Sequence, residues 1–505
     1  MKLAPGLRAT FASVLLYLIS AAHAEGPALK SESFDHDPNW DARNNHITPA
    51  RTPKIVQDFG YSSTNFAGKA IGEMGGQITR AAEPAFYAAN VGAKTLNDKL
   101  TASGTFAITK TSSGAGVFFG FFKSAQAGAT GRPISSLGMD IDCERGGARL
   151  AVRLITGDEK SCGTFITPFI PGHFRPTPIR NDGTRYHWTL DYDPDANSQR
   201  GRFTFTLHSD ANQPDELLKP DMPESHRQEA LSRFPHTTTF TVDLPEGFKQ
   251  QETVFDHFGL MNGLKPGGSM TIHFDDLEYC GKTEDFSHDP HWDGSQNRLT
   301  YPAKDVAGAQ NFGFSDSSFA GGKPGEIGGT FWRTEGPWGY YADKVGPLTL
   351  RDRLEARGKV IMTAAGPDAD MAFGFFRATD DKSAPDKSGD FLGIHVGGPT
   401  RMGHPFLPTF CASANLRAIA KEGPSLLPGK AYAWSLLYDP NANNGTGALT
   451  ATLGSESTML NLKKGQKQAA QNAQFDHFGM FSIAPGGQMV KIFLDDLQYT
   501  AAAQK

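Results

Sequence analysis

The stretch Arg202-Phe-Thr-Phe-Thr-Leu207 alternates apolar with polar residues, and Met270-Thr-Ile-His-Phe274 shows the same alternation. A period of two is typical of a strand with one buried face and one solvent-exposed face. The 505 residues include 56 Gly, 32 Pro and 36 Phe, and Gly-Gly, Pro-Gly and Asn-Gly pairs separate the alternating runs as turns. We therefore predict an all-β fold of antiparallel β-sandwiches of the jelly-roll type.

The sequence contains this unit twice, since matching stretches recur in the same order. Phe34-Asp-His-Asp-Pro-Asn-Trp-Asp41 recurs as Phe286-Ser-His-Asp-Pro-His-Trp-Asp293, and Trp188-Thr-Leu-Asp-Tyr-Asp-Pro194 recurs as Trp434-Ser-Leu-Leu-Tyr-Asp-Pro440. Three further pairs are Gly72-Glu-Met-Gly-Gly76 with Gly325-Glu-Ile-Gly-Gly329, Phe255-Asp-His-Phe-Gly259 with Phe475-Asp-His-Phe-Gly479, and Phe274-Asp-Asp-Leu-Glu-Tyr279 with Leu494-Asp-Asp-Leu-Gln-Tyr499. We expect one β-sandwich module over residues 31–282 and a second over 283–501.

The two copies differ mainly by one insertion. The first copy is about 26 residues longer between Gly201 and Phe255. A loop elaborated on one copy is a common way for duplicated modules to acquire different functions.

The first 24 residues have the features of a secretory signal. Lys2 and Arg8 supply positive charge, Phe11 to Ile19 is apolar, and Ala22-His-Ala24 has the small residues of a cleavage site. The apolar stretch is too short to span a bilayer. We expect a secreted or periplasmic protein, cleaved near Ala24, without a transmembrane segment in the mature chain.

The net charge of −5 and the isoelectric point near 6.3 argue against nucleic acid or an anionic membrane as the main partner. Export makes the four cysteines potential disulfide partners. Cys143 and Cys162 could bridge two neighbouring strands, and Cys280 with Cys411 could join the modules, but the sequence leaves three pairings open. No Cys-x-x-Cys pair is present, which argues against the simplest zinc and thiol-redox sites.

The runs from Trp188 to Leu207 and from Trp434 to Leu453 join a tryptophan strand, Tyr-Asp-Pro and a further strand, an arrangement similar to the concanavalin A-like lectin/glucanase superfamily. Phe-Asp-His-Phe-Gly, a Gly-Gly turn and a terminal Asp-Asp-Leu resemble its laminin-G-like members. That superfamily includes lectins, carbohydrate-binding modules, glycoside hydrolases and polysaccharide lyases, so the resemblance implies a sugar-facing concave sheet. The Glu-x-Asp-x-x-Glu run of its laminarinase-type hydrolases is absent from this chain.

Acidic residues at the two ends of each module are candidates for a structural calcium site, because Ca²⁺ takes six to eight oxygen ligands. The candidates are Asp35, Asp37, Asp275, Asp276, Asp285, Asp289, Asp495 and Asp496. The alternative is that His-Asp-Pro begins a turn and that Asp-Asp binds loop amides. We expect no other cofactor.

The block Gly-Glu-x-Gly-Gly…Arg…Tyr is the candidate for catalysis. Arginine and tyrosine could neutralise a uronate and act as base in a lyase, and the carboxylate could belong to a hydrolase pair. The residues are Glu73, Arg80, Tyr87, Glu326, Arg333 and Tyr341. The alternative is a buried Glu–Arg ion pair with a structural role.

Aromatic residues and histidines complete the set of candidates. Trp332, Trp338 and Tyr340 could form a platform for sugar rings, or could belong to the core. His173 and His404 lie in proline-rich stretches that could rim a cleft. His257 and His477, each after an aspartate, could act as acid/base groups, although an outward or loop-bonded histidine is the commoner arrangement in such a strand.

Two functions follow from these features. The first is an exported carbohydrate-active protein that acts on or binds an extracellular polysaccharide, as a polysaccharide lyase or glycoside hydrolase. The alternative is a non-catalytic tandem glycan-binding or cell-surface adhesion protein, whose linked modules gain avidity. An enzyme should keep acid/base groups in one copy that the other copy has lost.

Overall fold

The structure is a computed structural model that describes residues 27–124, 133–144, 147–166, 179–210, 225, 237–333, 337–366, 369–379, 383–398, 403–413, 415–483 and 488–503. The expected signal segment, His173 and most of the insertion of the first copy lie outside the described residues. Within the described residues, no helix is long and apolar enough to cross a membrane. Almost all regular structure is β-strand, so the all-β prediction is confirmed.

The strands of the first repeat are β1 (Ala28–Glu32), β2 (Asp41–Arg43), β3 (His46–Ile47), β4 (Lys54–Ser62), β5 (Glu73–Thr79), β6 (Phe86–Thr95), β7 (Leu100–Thr111), β8 (Gly116–Phe122), β9 (Ser136–Glu144), β10 (Gly147–Ile155), β11 (Ser161–Phe165), β12 (Arg185–Asp193), β13 (Arg202–Ser209), β14 (Thr237–Asp243), β15 (Val254–Asn262) and β16 (Ser269–Tyr279). A short helical turn, α1 (Ala196–Gln199), lies between β12 and β13.

The strands of the second repeat are β17 (Lys282–Glu284), β18 (Asp293–Ser295), β19 (Arg298–Pro302), β20 (Gln310–Ser315), β21 (Glu326–Trp332), β22 (Tyr340–Thr349), β23 (Leu354–Ala365), β24 (Asp370–Phe376), β25 (Phe391–Gly397), β26 (His404–Cys411), β27 (Arg417–Ile419), β28 (Ser425–Leu426), β29 (Ala431–Asp439), β30 (Ala448–Leu453), β31 (Glu456–Asn461), β32 (Gln474–Ser482) and β33 (Met489–Ala501). Its helical turns are α2 (Pro385–Ser388) and α3 (Gln466–Ala469).

The first sandwich consists of a nine-stranded and a seven-stranded antiparallel sheet. The larger sheet has the order β14-β13-β12-β7-β16-β5-β4-β19, and β17 also pairs with β16. The smaller sheet has the order β11-β10-β9-β8-β15-β6-β18. The two sheets meet in one apolar core, where Phe119 of β8 stacks on Phe274 of β16 with ring centroids 3.9 Å apart.

The second sandwich repeats this arrangement. Its nine-stranded sheet has the order β3-β20-β21-β33-β23-β29-β30-β31, and β1 also pairs with β33. Its eight-stranded sheet has the order β2-β22-β32-β24-β25-β26-β27, and β28 also pairs with β26. In the core, Phe478 of β32 stacks on Tyr499 of β33 with centroids 4.3 Å apart. The prediction of two tandem antiparallel sandwiches is confirmed.

The opening of each repeat packs into the sandwich formed by the other repeat. β1, β2 and β3 pair with β33, β22 and β20 of the second sandwich. Reciprocally, β17, β18 and β19 pair with β16, β6 and β4 of the first sandwich. We call residues 28–47 and 282–302 the opening segments.

Aromatic side chains anchor the opening segments in the two cores. Phe34 and Trp40 lie in the core of the second sandwich, and Trp40 stacks on Tyr341 at 5.7 Å. Phe286 and Trp292 take the same places in the first sandwich, where Trp292 lies 5.8 Å from the ring of Tyr87. The boundaries expected at residues 31, 282 and 283 therefore separate the sequence repeats but do not separate the two sandwiches.

All four cysteines are free thiols in the structure, so it shows none of the three pairings that the sequence leaves open. Cys143 lies on β9 opposite Ala148 of β10, and Cys162 lies on β11 opposite Leu154 of the same β10. A whole strand therefore separates the two thiols, and neighbouring strands alone are about 4.8 Å apart. Both side chains pack against the first core.

Candidate ligand-binding face

The outer side of the larger sheet in the first sandwich carries a dense set of polar side chains. Along β12, the side chains of Tyr186, Trp188, Leu190 and Tyr192 are buried, and the residues between them point outward. β13 and β14 continue the alternation. We define the polar face by its outward residues, which are His187, Thr189, Asp191, Thr204, Thr206, His208, Asp210, Thr237, Thr239 and Thr241.

The strand register aligns these residues in rows across three strands. His187 stands opposite His208, which stands opposite Thr237. The next row is Thr189, Thr206 and Thr239, and the third row is Asp191, Thr204 and Thr241. The rows are bonded internally: Thr206 Oγ1 lies 2.9 Å from Thr239 Oγ1, and His208 Nδ1 lies 2.8 Å from Thr237 Oγ1.

Both histidines of the first row lie close to one carboxylate, that of Asp210, which follows β13. His187 Nε2 lies 3.1 Å and 3.2 Å from the two carboxylate oxygens of Asp210, and His208 Nε2 lies 4.0 Å from the same carboxylate. The two imidazole rings are 6.0 Å apart. All three side chains are nearly half exposed, so both imidazoles and the carboxylate are accessible to a ligand.

The second sandwich lacks this chemistry at the matching positions. Alignment of Trp188 with Trp434 places Ala433 where the first repeat has His187, and Leu437 where it has Asp191. The same alignment places Gly454 where the first repeat has His208. Gly454 donates its N–H to the Ala433 carbonyl at 2.8 Å, so the two residues are neighbours across the strands as His187 and His208 are. A hydroxyl pair does persist, since Thr452 Oγ1 lies 2.9 Å from Ser457 Oγ.

Sequence reasoning missed the polar face, although one signal was present. The motif containing Trp188 carries Asp191, and its second copy carries Leu437 at that place. The alternation of β12 makes this an outward position, so the difference changes the chemistry of the surface and leaves the core unchanged.

The predicted catalytic glutamates anchor loops in the structure. Glu73 is fully buried, and its carboxylate accepts hydrogen bonds from Thr64 Oγ1 at 2.5 Å, Phe66 N at 2.9 Å and Ala67 N at 2.7 Å. Glu326 accepts the equivalent three bonds at 2.6, 2.9 and 2.7 Å; the donors are Ser317, Phe319 and Ala320. Each carboxylate thus accepts hydrogen bonds from the backbone N–H and hydroxyl groups of the loop that precedes its own strand.

The structure does not bring the predicted Glu, Arg and Tyr together. The buried Arg80 forms an ion pair with Asp142, and Arg333 pairs with Asp370 at 2.7 Å, so neither arginine pairs with a glutamate of the motif as the structural alternative assumed. Glu73 and Tyr87 lie on different sheets, β5 and β6, with the core between them.

Tyr87 and Tyr341 instead bind the opening segments. The Tyr87 hydroxyl donates to Asp289 at 2.9 Å, and the Tyr341 hydroxyl donates to Asp37 at 2.8 Å. Burial, followed by the hydrogen bond to the carboxylate, raises the pKa of both phenols above their usual value. Both tyrosines are therefore neutral hydrogen-bond donors at neutral pH.

The exchange of the opening segments changes which predicted calcium ligands share a sandwich. Asp285 and Asp289 join Asp275 and Asp276 in the first sandwich, and Asp35 and Asp37 join Asp495 and Asp496 in the second. Across the described ranges, no group of three or more Asp, Glu, His or Cys side chains is arranged to hold a metal.

In each Asp-Asp pair, the first carboxylate accepts a backbone N–H of the loop, as the alternative to a calcium site predicts. Asp275 Oδ1 accepts the N–H of Asp276 at 2.7 Å, and Asp495 does the same for Asp496. Burial raises the pKa of Asp275 to about 7, and the charges of Asp276, Glu73 and Asp285 add to the effect. A side chain at position 68 would overlap the Asp275 carboxylate, so glycine is needed there for the loop to pack on it.

The predicted aromatic platform of the second repeat is buried, which corrects its assignment as a sugar-binding surface. Trp332, Trp338 and Tyr340 are only 2%, 1% and 7% exposed. Trp338 and Tyr340 pack with Phe376 and Phe481 in a second apolar layer on the outer side of the smaller sheet. The rings are therefore covered by protein.

His404 also departs from its predicted place at a cleft rim. It is fully buried, and its Nε2 lies 2.6 Å from the carboxylate of Glu159 in the first repeat. The neighbouring Asp158 and Lys160 line a cleft of about 770 Å³ between the two repeats, but His404 does not line it. The pair joins the repeats inside the molecule.

No family model and no curated protein matches the sequence. Similar solved structures include domains LG4-5 of the mouse laminin α1 chain, with 10% identity over 90% of this chain and 94% of that chain and a TM-score of 0.23. The lectin-like defence protein arcelin-5 from Phaseolus vulgaris is 10% identical over 49% of this chain and 97% of its own, with a TM-score of 0.20. The binding domain of Paraclostridial mosquitocidal protein 1 is 9% identical over 95% and 98%, with a TM-score of 0.24. With TM-scores this low, the fold rests on the strand pairing described above, and the concanavalin A-like resemblance stays a prediction.

Proposed function

We propose that the chain is an exported protein that binds an extracellular polysaccharide through the polar face of the first sandwich. The observation that carries the proposal is the asymmetry between the two sandwiches. At matched register positions, the first sandwich presents His187, Asp191 and His208 where the second presents Ala433, Leu437 and Gly454. Because cross-strand threonine pairs also stabilise a solvated sheet, the proposal rests on the imidazole and carboxylate groups, which the second sandwich lacks at these positions.

The chemistry of the rows suits a ligand rich in hydroxyl groups. Imidazole and threonine hydroxyl groups both donate and accept hydrogen bonds, and a carboxylate accepts them. Three neighbouring strands place such groups over about 10 Å, since adjacent strands are about 4.8 Å apart. A polysaccharide chain that crosses β12, β13 and β14 along one row would meet one hydrogen-bonding side chain on each β-strand.

A second candidate function, catalysis on the same polysaccharide, is favoured by one observation. The pair of His187 and Asp210, with His208 beside it, has the composition of an acid/base site and occurs in the first sandwich alone of the two equivalent faces. A histidine oriented by a carboxylate could accept a proton during lyase or hydrolase chemistry.

The test is a panel of soluble xylan, laminarin, alginate, pectin and hyaluronan, assayed by retardation in affinity gels. Reducing ends and the absorbance of unsaturated uronates are measured in parallel. We expect at least one polysaccharide to retard the protein, and we expect retardation to be lost in H187A/H208A and weakened in T206A/T239A.

The second sandwich supplies a matched control. T452A/S457A removes the equivalent hydroxyl pair and should retard like the unaltered protein. Product formation that disappears in H187A/H208A would establish the enzyme instead of the binding protein. Absence of retardation and of product across the panel, or equal effects of the two hydroxyl variants, would overturn the proposal.

A further inference from the structure

An exposed phenylalanine lies on the loop between β4 and β5. Phe66 is 46% exposed, and its counterpart Phe319 in the second repeat is 52% exposed. An apolar ring left in water is unfavourable by the free energy of its unburied area. Single exposed apolar side chains are common, so the surroundings of each ring decide whether it is a candidate for contact with a ligand.

The protein holds Phe66 rigidly while leaving its ring in solvent. Glu73 accepts the Phe66 N–H at 2.9 Å, and Arg185 Nε donates to the Phe66 carbonyl at 2.9 Å. Arg185 Nη2 also donates to the Asn65 carbonyl at 2.9 Å. One side of the ring lies on the buried imidazole of His273, with centroids 4.8 Å apart. The backbone is thus bonded on both sides, and the other side of the ring is free of these contacts.

Phe66 borders the polar face. Arg185, which holds the loop, is the first residue of β12 and lies two positions before His187. Strand register aligns His273, Ala107 and Arg185 in one row, and the adjacent row contains Thr105, His187 and His208. The ring therefore lies on the same outer side of the sheet as His187 and His208, two strands away from His187 in the sheet order.

We infer that Phe66 is the platform on which one sugar ring of the bound polysaccharide stacks. The inference rests on the function proposed above and adds a specific contact to it. A pyranose has an apolar C–H face and a rim of hydroxyl groups. Aromatic rings bind such faces, while polar groups placed beside them set the orientation. Phe66 supplies the apolar contact for one sugar ring. His187 and His208, two and three strands away from His273 in the sheet order, supply hydrogen bonds to other sugar units of the same polysaccharide chain.

The second repeat keeps the loop but not the polar surroundings. Phe319 lies on Phe493 with centroids 4.8 Å apart, and Glu326 accepts its N–H at 2.9 Å. Ala431 replaces Arg185, and Ala433 replaces His187. Without hydrogen-bonding partners beside the ring, Phe319 should contribute less to binding than Phe66.

The experiment compares F66A, F66W and F319A with the unaltered protein on each polysaccharide that retards it. We expect F66A to weaken binding about tenfold, F66W to retain it, and F319A to change it less than about threefold. L299A removes another exposed apolar side chain, 51% exposed, and should have no effect. Because Phe66 is exposed, all four variants should unfold at the temperature of the unaltered protein.

Failure of the inference can be distinguished from failure of the proposed function. If H187A/H208A loses binding but F66A binds normally, Phe66 is no platform while the polar face still stands. If F66A reduces retention on a phenyl resin and leaves polysaccharide binding unchanged, the ring contacts a hydrophobic partner and the inference is overturned. If no polysaccharide retards the unaltered protein, both are overturned.

Discussion

His477 Nε2 lies 3.0 Å from the carboxylate of Asp41, 436 positions away in the chain. The Nδ1 of the same ring lies 2.6 Å from Asp476. In the first sandwich, His257 lies between Asp256 at 2.7 Å and Asp293 at 3.0 Å. In each case, one aspartate belongs to the repeat of the histidine and the other to the opening segment of the other repeat. The exchange of segments is therefore fixed by charged hydrogen bonds as well as by buried aromatic rings.

The exchange predicts that a core substitution in one repeat destabilises the sandwich of the other. Trp40 is 7% exposed and packs against Phe34, Tyr341 and Tyr499 of the second core. Trp40→Ala should lower the stability of the second sandwich by about 3–5 kcal/mol, because it removes a large ring from a packed core. Hydrogen exchange resolved by peptide mass spectrometry should show faster exchange in β20 to β33.

The matched variant is Trp292→Ala, which should destabilise the first sandwich although Trp292 belongs to the second repeat. Faster exchange is expected in β4 to β16, with β20 to β33 protected as before. If Trp40→Ala loosens the first sandwich and Trp292→Ala the second, the segments are not exchanged in solution.

The histidine between two aspartates predicts a pH dependence of the second sandwich. Burial lowers the pKa of His477, but the hydrogen bonds and charges of Asp476 and Asp41 outweigh it and raise the pKa above the usual 6.5. Stability from a raised histidine pKa is complete below the unfolded value and is lost as pH rises through the folded value. The free energy of unfolding of the second sandwich should therefore fall as pH rises from the unfolded pKa, about 6.5, through the raised pKa of the folded protein.

Asp41 gives a second, separate pH dependence in the acid range. Burial raises the pKa of Asp41, yet the hydrogen bond from His477, the charge of Lys344 and the hydrogen bond from Tyr340 bring it below 3.8. The contribution of Asp41 is therefore present above that value and lost as pH falls through the lower folded pKa. Chemical unfolding measured both above about pH 6 and below about pH 4 checks the two effects separately. An Asp41→Asn variant should lose stability less steeply above pH 6; an identical slope in the two proteins would contradict the role given to Asp41.

The sequence alone could predict the sandwiches but not the exchange, for a simple physical reason. The stretches that contain Trp40 and Trp292 match almost residue for residue. Such a stretch shows that an opening segment fits this kind of core, but both cores offer the same aromatic and aspartate partners. Only the path of the chain between the segment and its strands, through residues 48–53 and 303–309, determines which core it reaches.

The candidate site was harder to predict than the fold because its residues come together through register. The outward position of His187 follows from the alternation of β12, yet its contact with Asp210 depends on how β12 and β13 align. Because the insertion separates Ser209 from Thr237 in the sequence, the sequence does not show that β14 pairs with β13. The sequence left open whether Trp338 and Tyr340 are exposed or buried, because a second apolar layer on the outer side of a sheet leaves no alternation of apolar and polar residues to read.

The loop contacts predict that Glu73 and Glu326 act alike, as structural anchors. Glu73→Gln should lower the free energy of unfolding by about 1–3 kcal/mol, since a neutral amide accepts hydrogen bonds less strongly and leaves buried donors unsatisfied. Glu326→Gln should have an effect of similar size, and Glu278→Gln, at an exposed position of β16, should have almost none. Thermal unfolding measures all three. A Glu73→Gln variant of unchanged stability that loses product formation would restore the catalytic assignment.

The contact between Glu159 and His404 predicts that the two repeats are coupled in unfolding. The two side chains are 2.6 Å apart and only 4% and 0% exposed, so loss of either partner leaves the other buried without compensation. Glu159→Ala should therefore cost about 3–5 kcal/mol, measured by chemical unfolding. The surface pair of Arg353 and Glu355, at 2.6 Å but about half exposed, provides the control, and Glu355→Ala should cost less than about 1 kcal/mol. The double variant Glu159→Ala/His404→Ala should recover part of the loss, because no unpaired charge or imidazole then remains in the interior. Equal costs for Glu159→Ala and Glu355→Ala would show that the buried pair does not hold the repeats together.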